Sequence, residues 1–163
     1  MIIGVPREIK DGENRVAATP AGVHTLVLDG HSVLIEQQAG EGSGLADREY
    51  REAGAEIVES ASDVYGRAEM IIKVKEPLGP EVDWMQPGQI IYTYLHLASD
   101  ETLTRKMLEK GVIGIGYETV QLPDASLPLL APMSEVAGRL AAQIGAHCLE
   151  ASANGLGCLL YTS

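Results

Sequence analysis

Short apolar segments alternate with helical segments along most of the chain, and this alternation limits the fold more than any other feature. The segments IIGV, HSVLIEQ, AEIV, EMIIKVK, GQIIYTYLH and VIGIGYE predict strands. Between them, stretches such as TPAGVHTLVLDG predict helices, here with Thr19 as N-cap, Pro20 in the first turn and Gly30 after the last. Strands that alternate with helices form parallel sheets covered on both faces. We therefore expect an α/β fold: an open, mostly parallel Rossmann-like (flavodoxin-like) sheet, with helices on both faces, that ends in a long connecting helix.

The composition excludes several classes of partner. A formal net charge of −11 and a pI near 4.7 argue against nucleic acid and anionic membranes, because both attract basic patches. The chain lacks an apolar run of about 18 residues, and its start, MIIGVPREIK, lacks the features of a secretion signal. Cys148 and Cys158 are not spaced as CxxC, so neither a zinc site nor a disulfide framework is indicated. We expect a soluble cytoplasmic protein that binds no metal, nucleic acid or membrane.

Two lysines interrupt the apolar segment MIIKVKEP. If the strand continued, Lys73 and Lys75 would share a face with Ile71. One explanation is an edge strand that lysines protect from aggregation; the other is an anion site at the end of the strand. The anion site is favoured because ligands bind beyond the carboxyl ends of parallel strands, where the chain places Arg7, Arg15, Lys75, His96 and Glu118. We interpret Lys75 as an anion ligand and Lys73 as a structural or solvent-facing residue.

His96 lies between Leu95 and Leu97, an apolar setting in which histidine is commonly a core residue. At the carboxyl end of a strand, it could instead give or take a proton near neutral pH. Arg15 fits a carboxylate with two hydrogen bonds, and Lys75 offers a single point charge. Together, Arg15, Lys75 and His96 suggest a site for a small oxo acid.

Two further segments are candidates for cofactor contact. The loop GEGSGL, residues 40–45, lacks the third glycine of GxGxxG, so we interpret it as a tight connecting loop rather than a dinucleotide site. The segment SEVAGRLAAQIGAHC predicts a long helix with Ser134 as N-cap and an apolar stripe at Val136, Leu140, Ile144 and Cys148. Its N-terminus could bind a phosphate or carboxamide through unpaired N–H groups. Ser134 could equally do no more than cap its own helix.

The blocks IGVPREIKDGENRVAATPAGV, IIKVKEP, YTYLHLA, GYETVQ and PLLAPMSEVAGRLAAQIGA are distributed over about residues 1–155. Together they closely resemble the amino-terminal part of bacterial NAD-dependent alanine dehydrogenases. The resemblance implies reversible conversion of L-alanine, NAD and water to pyruvate, ammonium and NADH. It implies that Arg15 and Lys75 hold the substrate, that His96 is the acid–base residue and that Ser134 contacts the NAD. Because family members are usually hexamers, we also expect a homo-oligomer.

The resemblance implies a domain organisation as well. Residues 1–130 would form the amino-terminal part of the substrate domain, and residues 131–154 would form a long helix leading to an NAD-binding Rossmann domain. Residues 155–163 depart from the family, so we expect them to be a truncated, non-native tail. On this interpretation, the chain by itself would expose apolar surface and be inactive.

Two other functions remain open from the sequence. The NAD-binding subunit of nicotinamide nucleotide transhydrogenase shares the PRE and ENRVAATP motifs, but it has no use for a substrate histidine. The presence of YLHLA therefore favours the alanine enzyme. A non-catalytic module for small carboxylates would retain Arg15 and Lys75 but perform no chemistry.

Overall fold

A computed structural model of the protein describes residues 1–150, so the predicted tail at 155–163 lies outside the described residues. The chain forms two compact units, Met1–Thr119 and a second that begins at Val120. The strands of the first unit are β1 (Ile2–Val5), β2 (Ser32–Glu36), β3 (Glu56–Val58), β4 (Met70–Ile72), β5 (Ile90–Thr93) and β6 (Ile113–Gly116). Its helices are α1 (Pro20–Leu28), α2 (Asp47–Glu52), α3 (Ala61–Arg67), α4 (Glu81–Trp84) and α5 (Glu101–Lys110). Short 3₁₀ turns occur at Glu41–Ser43, Leu97–Ser99 and Tyr117–Thr119.

The six strands of the described chain form one sheet in the order β3-β2-β1-β4-β5-β6, and every neighbouring pair is parallel. The predicted open, parallel α/β sheet is confirmed. From β1 the chain proceeds outward through β2 to β3, and then returns to β4 on the other side of β1. Such a reversal opens a crevice at the carboxyl ends of β1 and β4, which is where open α/β sheets bind ligands.

Helices cover both faces of the sheet because side chains along each strand alternate between two cores. In β2, Leu34 packs into one core, whereas Val33 and Ile35 pack into the other. The Leu34 core receives buried residues from α3, α4 and α5, namely Val64, Tyr65, Val82, Leu103 and Met107. The Val33 core receives Val23 from α1 and Tyr50 from α2.

Capping residues define the ends of α1 and the start of α5, and those of α1 are as predicted. The Thr19 side chain accepts a hydrogen bond from the Gly22 N–H at the start of α1, and Gly30 follows the helix with a φ of 83°. A residue with a positive φ after a helix is favourable for glycine, which has no Cβ to clash. In α5, Asp100 is the N-cap and accepts from the Leu103 N–H.

The second unit contains the predicted long helix, α6 (Ala131–Cys148). All four members of its predicted apolar stripe, Val136, Leu140, Ile144 and Cys148, are exposed. The prediction that Ser134 is the N-cap is wrong, because α6 begins at Ala131 and Leu130, four residues before Ser134, occupies the cap position. Pro132 explains the early start, since proline is favourable in the first turn of a helix. Among residues 1–150, none of the helices combines the length and apolar character needed to cross a membrane.

Candidate functional site

Four of the residues predicted to lie at the site follow strands that are neighbours in the sheet. Arg15 lies in the segment after β1, Lys75 after β4, His96 after β5 and Glu118 after β6. Because all four strands are parallel, these residues emerge at the same edge. They therefore border the crevice side of the sheet, as the sequence predicted.

Lys73 is buried in the core. Strand β4 ends at Ile72, and the Lys73 side chain is 0% exposed. Its Nζ lies 2.7 Å from Glu81 Oε1 and 3.3 Å from Glu8 Oε2. Because β4 lies between β1 and β5, the explanation that its lysines protect an edge strand is wrong. Of the two roles open to Lys73, the structural one is correct.

The ion cluster of Lys73, Glu8 and Glu81 also supports the backbone next to Lys75. Glu8 Oε1 accepts a hydrogen bond of 2.6 Å from the Val74 N–H. On the other side of Lys75, its carbonyl accepts a 2.8 Å hydrogen bond from Thr93 Oγ1. Burial raises the pKa of Glu8, and Lys73 opposes that effect by favouring the carboxylate. The Lys75 side chain thus extends from a backbone held by the core, and it is itself only half-buried.

Arg15 is oriented by Glu13. Arg15 Nε donates to Glu13 Oε1 at 2.8 Å, and Nη2 donates to Oε2 at 2.6 Å. This bidentate pair lowers the pKa of Glu13 to about 2, with a smaller contribution from the positive charge of Lys75. Lys75 is therefore near enough to Glu13 for its positive charge to lower the pKa of that carboxyl group. Arg15 and Glu13 line a polar cavity of about 260 Å³ that also includes Arg7 and Glu8.

The glycine-rich loop supports the segment that carries Arg15. Ser43 Oγ donates to the carbonyl of Asn14 at 2.9 Å, and a Cβ added at Gly42 would lie 2.7 Å from the same oxygen. Only glycine fits such a close approach without movement of the backbone. This packing is typical of the tight connecting loop we predicted, and it gives no support to a dinucleotide site there.

His96 adopts a left-handed backbone conformation, with φ 49° and ψ 31°. Its N–H donates to Glu118 Oε1 at 2.8 Å, and the Leu95 N–H donates to the same carboxylate at 3.1 and 3.3 Å. The histidine is exposed, so it is not the satisfied core residue that its apolar neighbours suggested. It lines a cavity of about 420 Å³ together with Leu95, Gly114, Gly116 and Glu118.

Tyr94 links the surroundings of His96 and Arg15. Its ring stacks on His96, with centroids 6.1 Å apart and an interplanar angle of 17°. The pKa of Arg15 is raised mainly by its hydrogen bond to Glu13, with a smaller electrostatic contribution from Tyr94. Our sequence reasoning missed Tyr94 as a site residue. The signal was present in YTYLH, where Tyr94 precedes His96 by two residues, the spacing that places side chains on one side of an extended segment.

The first turn of α6 offers less to an anion than predicted. Ala131 N donates to Leu127 O, Met133 N and Ser134 N donate to Leu130 O, and Pro132 has no N–H. Every backbone N–H of this turn is therefore already bonded, so the predicted unpaired donors are absent from it. Ser134 retains an exposed position, and its predicted contact with the cofactor would depend on its hydroxyl group. Within residues 1–150, no group of three or more His, Cys, Asp or Glu side chains is arranged to hold a metal.

Comparison with known proteins gives one consistent result. The profile described as "Alanine dehydrogenase/PNT, N-terminal domain" matches residues 4–137. Alanine dehydrogenases from Methanococcus maripaludis and Staphylococcus saprophyticus are 59% and 56% identical to the chain over 160 residues. Each alignment covers 98% of this chain and 43% of the relative, so the chain spans less than half the length of these relatives.

Solved structures agree with the sequence comparison. An L-alanine dehydrogenase structure matches with a TM-score of 0.89 and 54% identity, over 96% of this chain and 43% of that chain. A transhydrogenase from Sinorhizobium meliloti matches less well, with a TM-score of 0.69 and 29% identity over 72% of this chain and 35% of that chain. The chain therefore belongs to the alanine dehydrogenase/PNT family, and its residues 4–137 correspond to the family's N-terminal domain.

Proposed function

We propose that this chain provides the substrate-binding part of an NAD-dependent alanine dehydrogenase, which reversibly converts L-alanine, NAD and water to pyruvate, ammonium and NADH. The observation that carries the proposal is the emergence of Arg15, Lys75 and His96 from neighbouring parallel strands at one edge of the sheet. The proposal is supported by the similarity of the chain to alanine dehydrogenases. The lower identity to a transhydrogenase makes hydride transfer between two nicotinamides the weaker alternative.

In this proposal, Arg15 and Lys75 bind the carboxylate that alanine and pyruvate share. A guanidinium binds a carboxylate through two parallel hydrogen bonds, and an ammonium adds a point charge. Glu13 already fixes the plane of the Arg15 guanidinium, and the Lys73 cluster fixes the backbone beside Lys75. A cation pair oriented in advance loses little conformational freedom when the substrate binds.

His96 moves the protons in this proposal. After hydride has left the α-carbon, water adds to the resulting iminium carbon, and the C–N bond then breaks to release ammonia and leave the ketone. One group therefore has to take a proton from the water oxygen and give a proton to the departing nitrogen. His96 suits that role because its imidazole is exposed, its backbone N–H is bonded to Glu118 and its ring stacks on Tyr94. NAD would supply the hydride acceptor when bound, and Ser134 is the residue of this chain that we propose touches it.

The described residues suit NAD only in part. The GEGSGL loop packs on Asn14, and the first-turn N–H groups of α6 are bonded within the chain, so neither forms a phosphate cradle. We therefore propose that segments beyond residue 150 bind most of the cofactor, consistent with a substrate domain over residues 1–130 and a connecting helix over 131–154. We also propose that the protein is a cytoplasmic homo-oligomer, with a hexamer expected from the family resemblance.

A chimera tests the proposed function. Residues 1–150 of this chain would replace the matching part of the Methanococcus maripaludis alanine dehydrogenase, and alanine-dependent NADH formation would be measured. We expect turnover in the parent chimera and a reduction of about 10²–10⁴-fold in His96→Ala, the usual contribution of an acid–base group. His24→Ala, an exposed histidine on α1, is the matched control and should retain turnover. A folded chimera that does not oxidise alanine would contradict the proposal.

A further inference from the structure

We propose that Glu118 is the positioning residue for His96. This inference rests on the proposed function, in which His96 transfers protons. Glu118 accepts the N–H groups of two consecutive residues, Leu95 and His96, through one carboxylate. The bond from the His96 N–H is 2.8 Å long, and the Leu95 N–H lies 3.1 and 3.3 Å from the two carboxylate oxygens. Glu118 thus acts on the backbone that carries the imidazole, not on the ring itself.

The backbone of His96 needs this support. A φ of 49° lies in the left-handed region, where residues with a Cβ are strained unless their surroundings hold them. The N–H of His96 and the N–H of Leu95, which precedes it, both donate to Glu118. Without that acceptor, the turn could relax toward a negative φ, and the imidazole would change direction. The stacking of His96 on Tyr94 would change with it.

The position of Glu118 is built into the end of β6. Thr93 of β5 pairs in register with Gly116 of β6, so the segments after the two strands lie side by side. A short turn, Tyr117–Thr119, follows β6 directly, and Thr119 Oγ1 closes it by donating to the Gly116 carbonyl at 2.9 Å. A Cβ at Gly116 would lie 3.1 Å from the carboxyl carbon of Glu118. Glycine at this position leaves room for the carboxylate to reach the His96 backbone.

The test uses the full-length chimera described above with three variants. Glu118→Ala removes the acceptor, whereas Glu118→Gln keeps one carbonyl oxygen that both N–H groups can share. Gly116→Ala leaves the glutamate in place but crowds it. We expect Glu118→Ala to lower kcat by up to about 10²-fold, the scale for a misplaced catalytic group, with the KM for pyruvate within about threefold of the parent. Glu118→Gln should retain most of the turnover, and Gly116→Ala should lower it.

A double-mutant comparison separates positioning from general structural support. If Glu118 acts through His96, Glu118→Ala should cause no further loss of kcat in a His96→Ala background. Glu101→Ala, an exposed carboxylate on α5, is the matched control and should leave kcat unchanged in either background. Independent losses in the double mutant would overturn the inference. So would an unchanged kcat in Glu118→Ala, or an equal loss in Glu118→Gln.

A second measurement does not depend on turnover, so it distinguishes failure of this inference from failure of the proposed function. Hydrogen exchange of the backbone amides in residues 94–99 would be followed in the same chimeras. We expect faster exchange in Glu118→Ala and parent-like exchange in Glu118→Gln. If the parent chimera were inactive, the proposed function would fail, but this exchange pattern would still support the positioning contact. Unchanged exchange in Glu118→Ala would overturn it.

Discussion

At the residue scale, the core and the candidate site share an ion cluster. Lys73 is buried with two carboxylates, Glu8 and Glu81, and Glu81 also accepts from Tyr65 Oη at 3.2 Å and from the Leu78 N–H at 2.8 Å. Buried charges are tolerated only when their partners compensate them. The cluster therefore makes the backbone before Lys75 depend on side chains from three separate segments.

Removing the central cation should destabilise the fold strongly. Lys73→Met would leave two buried carboxylates without their counter-ion, and we expect the free energy of unfolding to fall by about 3–5 kcal/mol. Urea unfolding of the chimera measures this loss. Lys106→Met, an exposed lysine on α5, is the control and should change little. Glu8→Gln and Glu81→Met remove the charges that Lys73 compensates. Combining both with Lys73→Met should therefore restore part of the lost free energy of unfolding. A triple variant as unstable as Lys73→Met alone would contradict the ion-cluster account.

The pair of Glu13 and Arg15 should make stability depend on acid pH. The folded-state pKa of Glu13 is lowered from 4.5 to about 2, so the folded state holds this proton less tightly than the unfolded state. The contribution is therefore fully present above pH 4.5 and is lost as the pH falls toward 2. We expect the urea midpoints of the parent and Glu13→Gln chimeras to differ above pH 4.5. The difference should disappear as the pH falls toward 2. Glu59→Gln, an exposed glutamate, serves as control; a pH-independent difference between parent and Glu13→Gln would contradict the assignment.

At the scale of elements, the glycine-rich loop and the loop that carries Arg15 form one packed unit. Their contact leaves no room for a side chain at Gly42, because the added Cβ would meet backbone rather than a flexible side chain. The order of the strands in the sheet sets the positions of the other site residues. The pairing of β4 with β5 and of β5 with β6 places the turns after these strands beside one another.

Gly42→Ala should therefore impair substrate binding without direct contact with the substrate. The Asn14 backbone must move to accept the methyl group, and Arg15 should move with it. We expect kcat/KM for pyruvate to fall by about tenfold or more, since small misplacements near a site are costly. Steady-state kinetics of the chimera measures the effect. Gly66→Ala, in α3, meets nothing within 4 Å and should leave kcat/KM unchanged; equal effects of the two substitutions would contradict the loop-packing argument.

At the scale of the whole molecule, the described chain buries the central strands of its sheet but exposes apolar side chains on the edge strand β6 and on α6. Ile113 and Ile115 of β6 are 50% and 38% exposed, and Val136, Leu140 and Ile144 of α6 are exposed as well. This agrees with our expectation that the chain by itself leaves apolar surface uncovered. Surfaces of this kind commonly mark contact with another segment or another chain.

The same organisation predicts that residues 1–150 do not bind NAD by themselves. Even millimolar binding requires about 4 kcal/mol, and a single neutral hydrogen bond, such as one from the Ser134 hydroxyl, contributes about 1 kcal/mol. We expect calorimetric titration of the isolated segment with NADH to give no measurable heat of binding, and an assay with alanine and NAD to show no turnover. Micromolar binding would show that the cofactor site lies within these residues and would direct attention back to the GEGSGL loop.

The sequence by itself determined most of the secondary structure, the parallel sheet and the edge at which the site residues emerge, but it did not predict helix α4 or the end of β4 at Ile72. These features depend on signals that act within a few residues, such as the Thr19 and Asp100 caps and the alternation along each strand. The same local signals gave the wrong start for α6: they predict a cap at Ser134, whereas the helix begins at Ala131, with Pro132 in its first turn.

Only the tertiary structure decided the environments of Lys73, Arg15 and His96. Lys73 looked like a lysine at the end of a strand, but its two carboxylate partners come from the segment after β1 and from α4. Glu118 reaches His96 because β5 and β6 pair in one particular register. Contacts between residues distant in sequence cannot be predicted from any local sequence pattern. They depend on strand order and register, which the packing of the complete sheet selects.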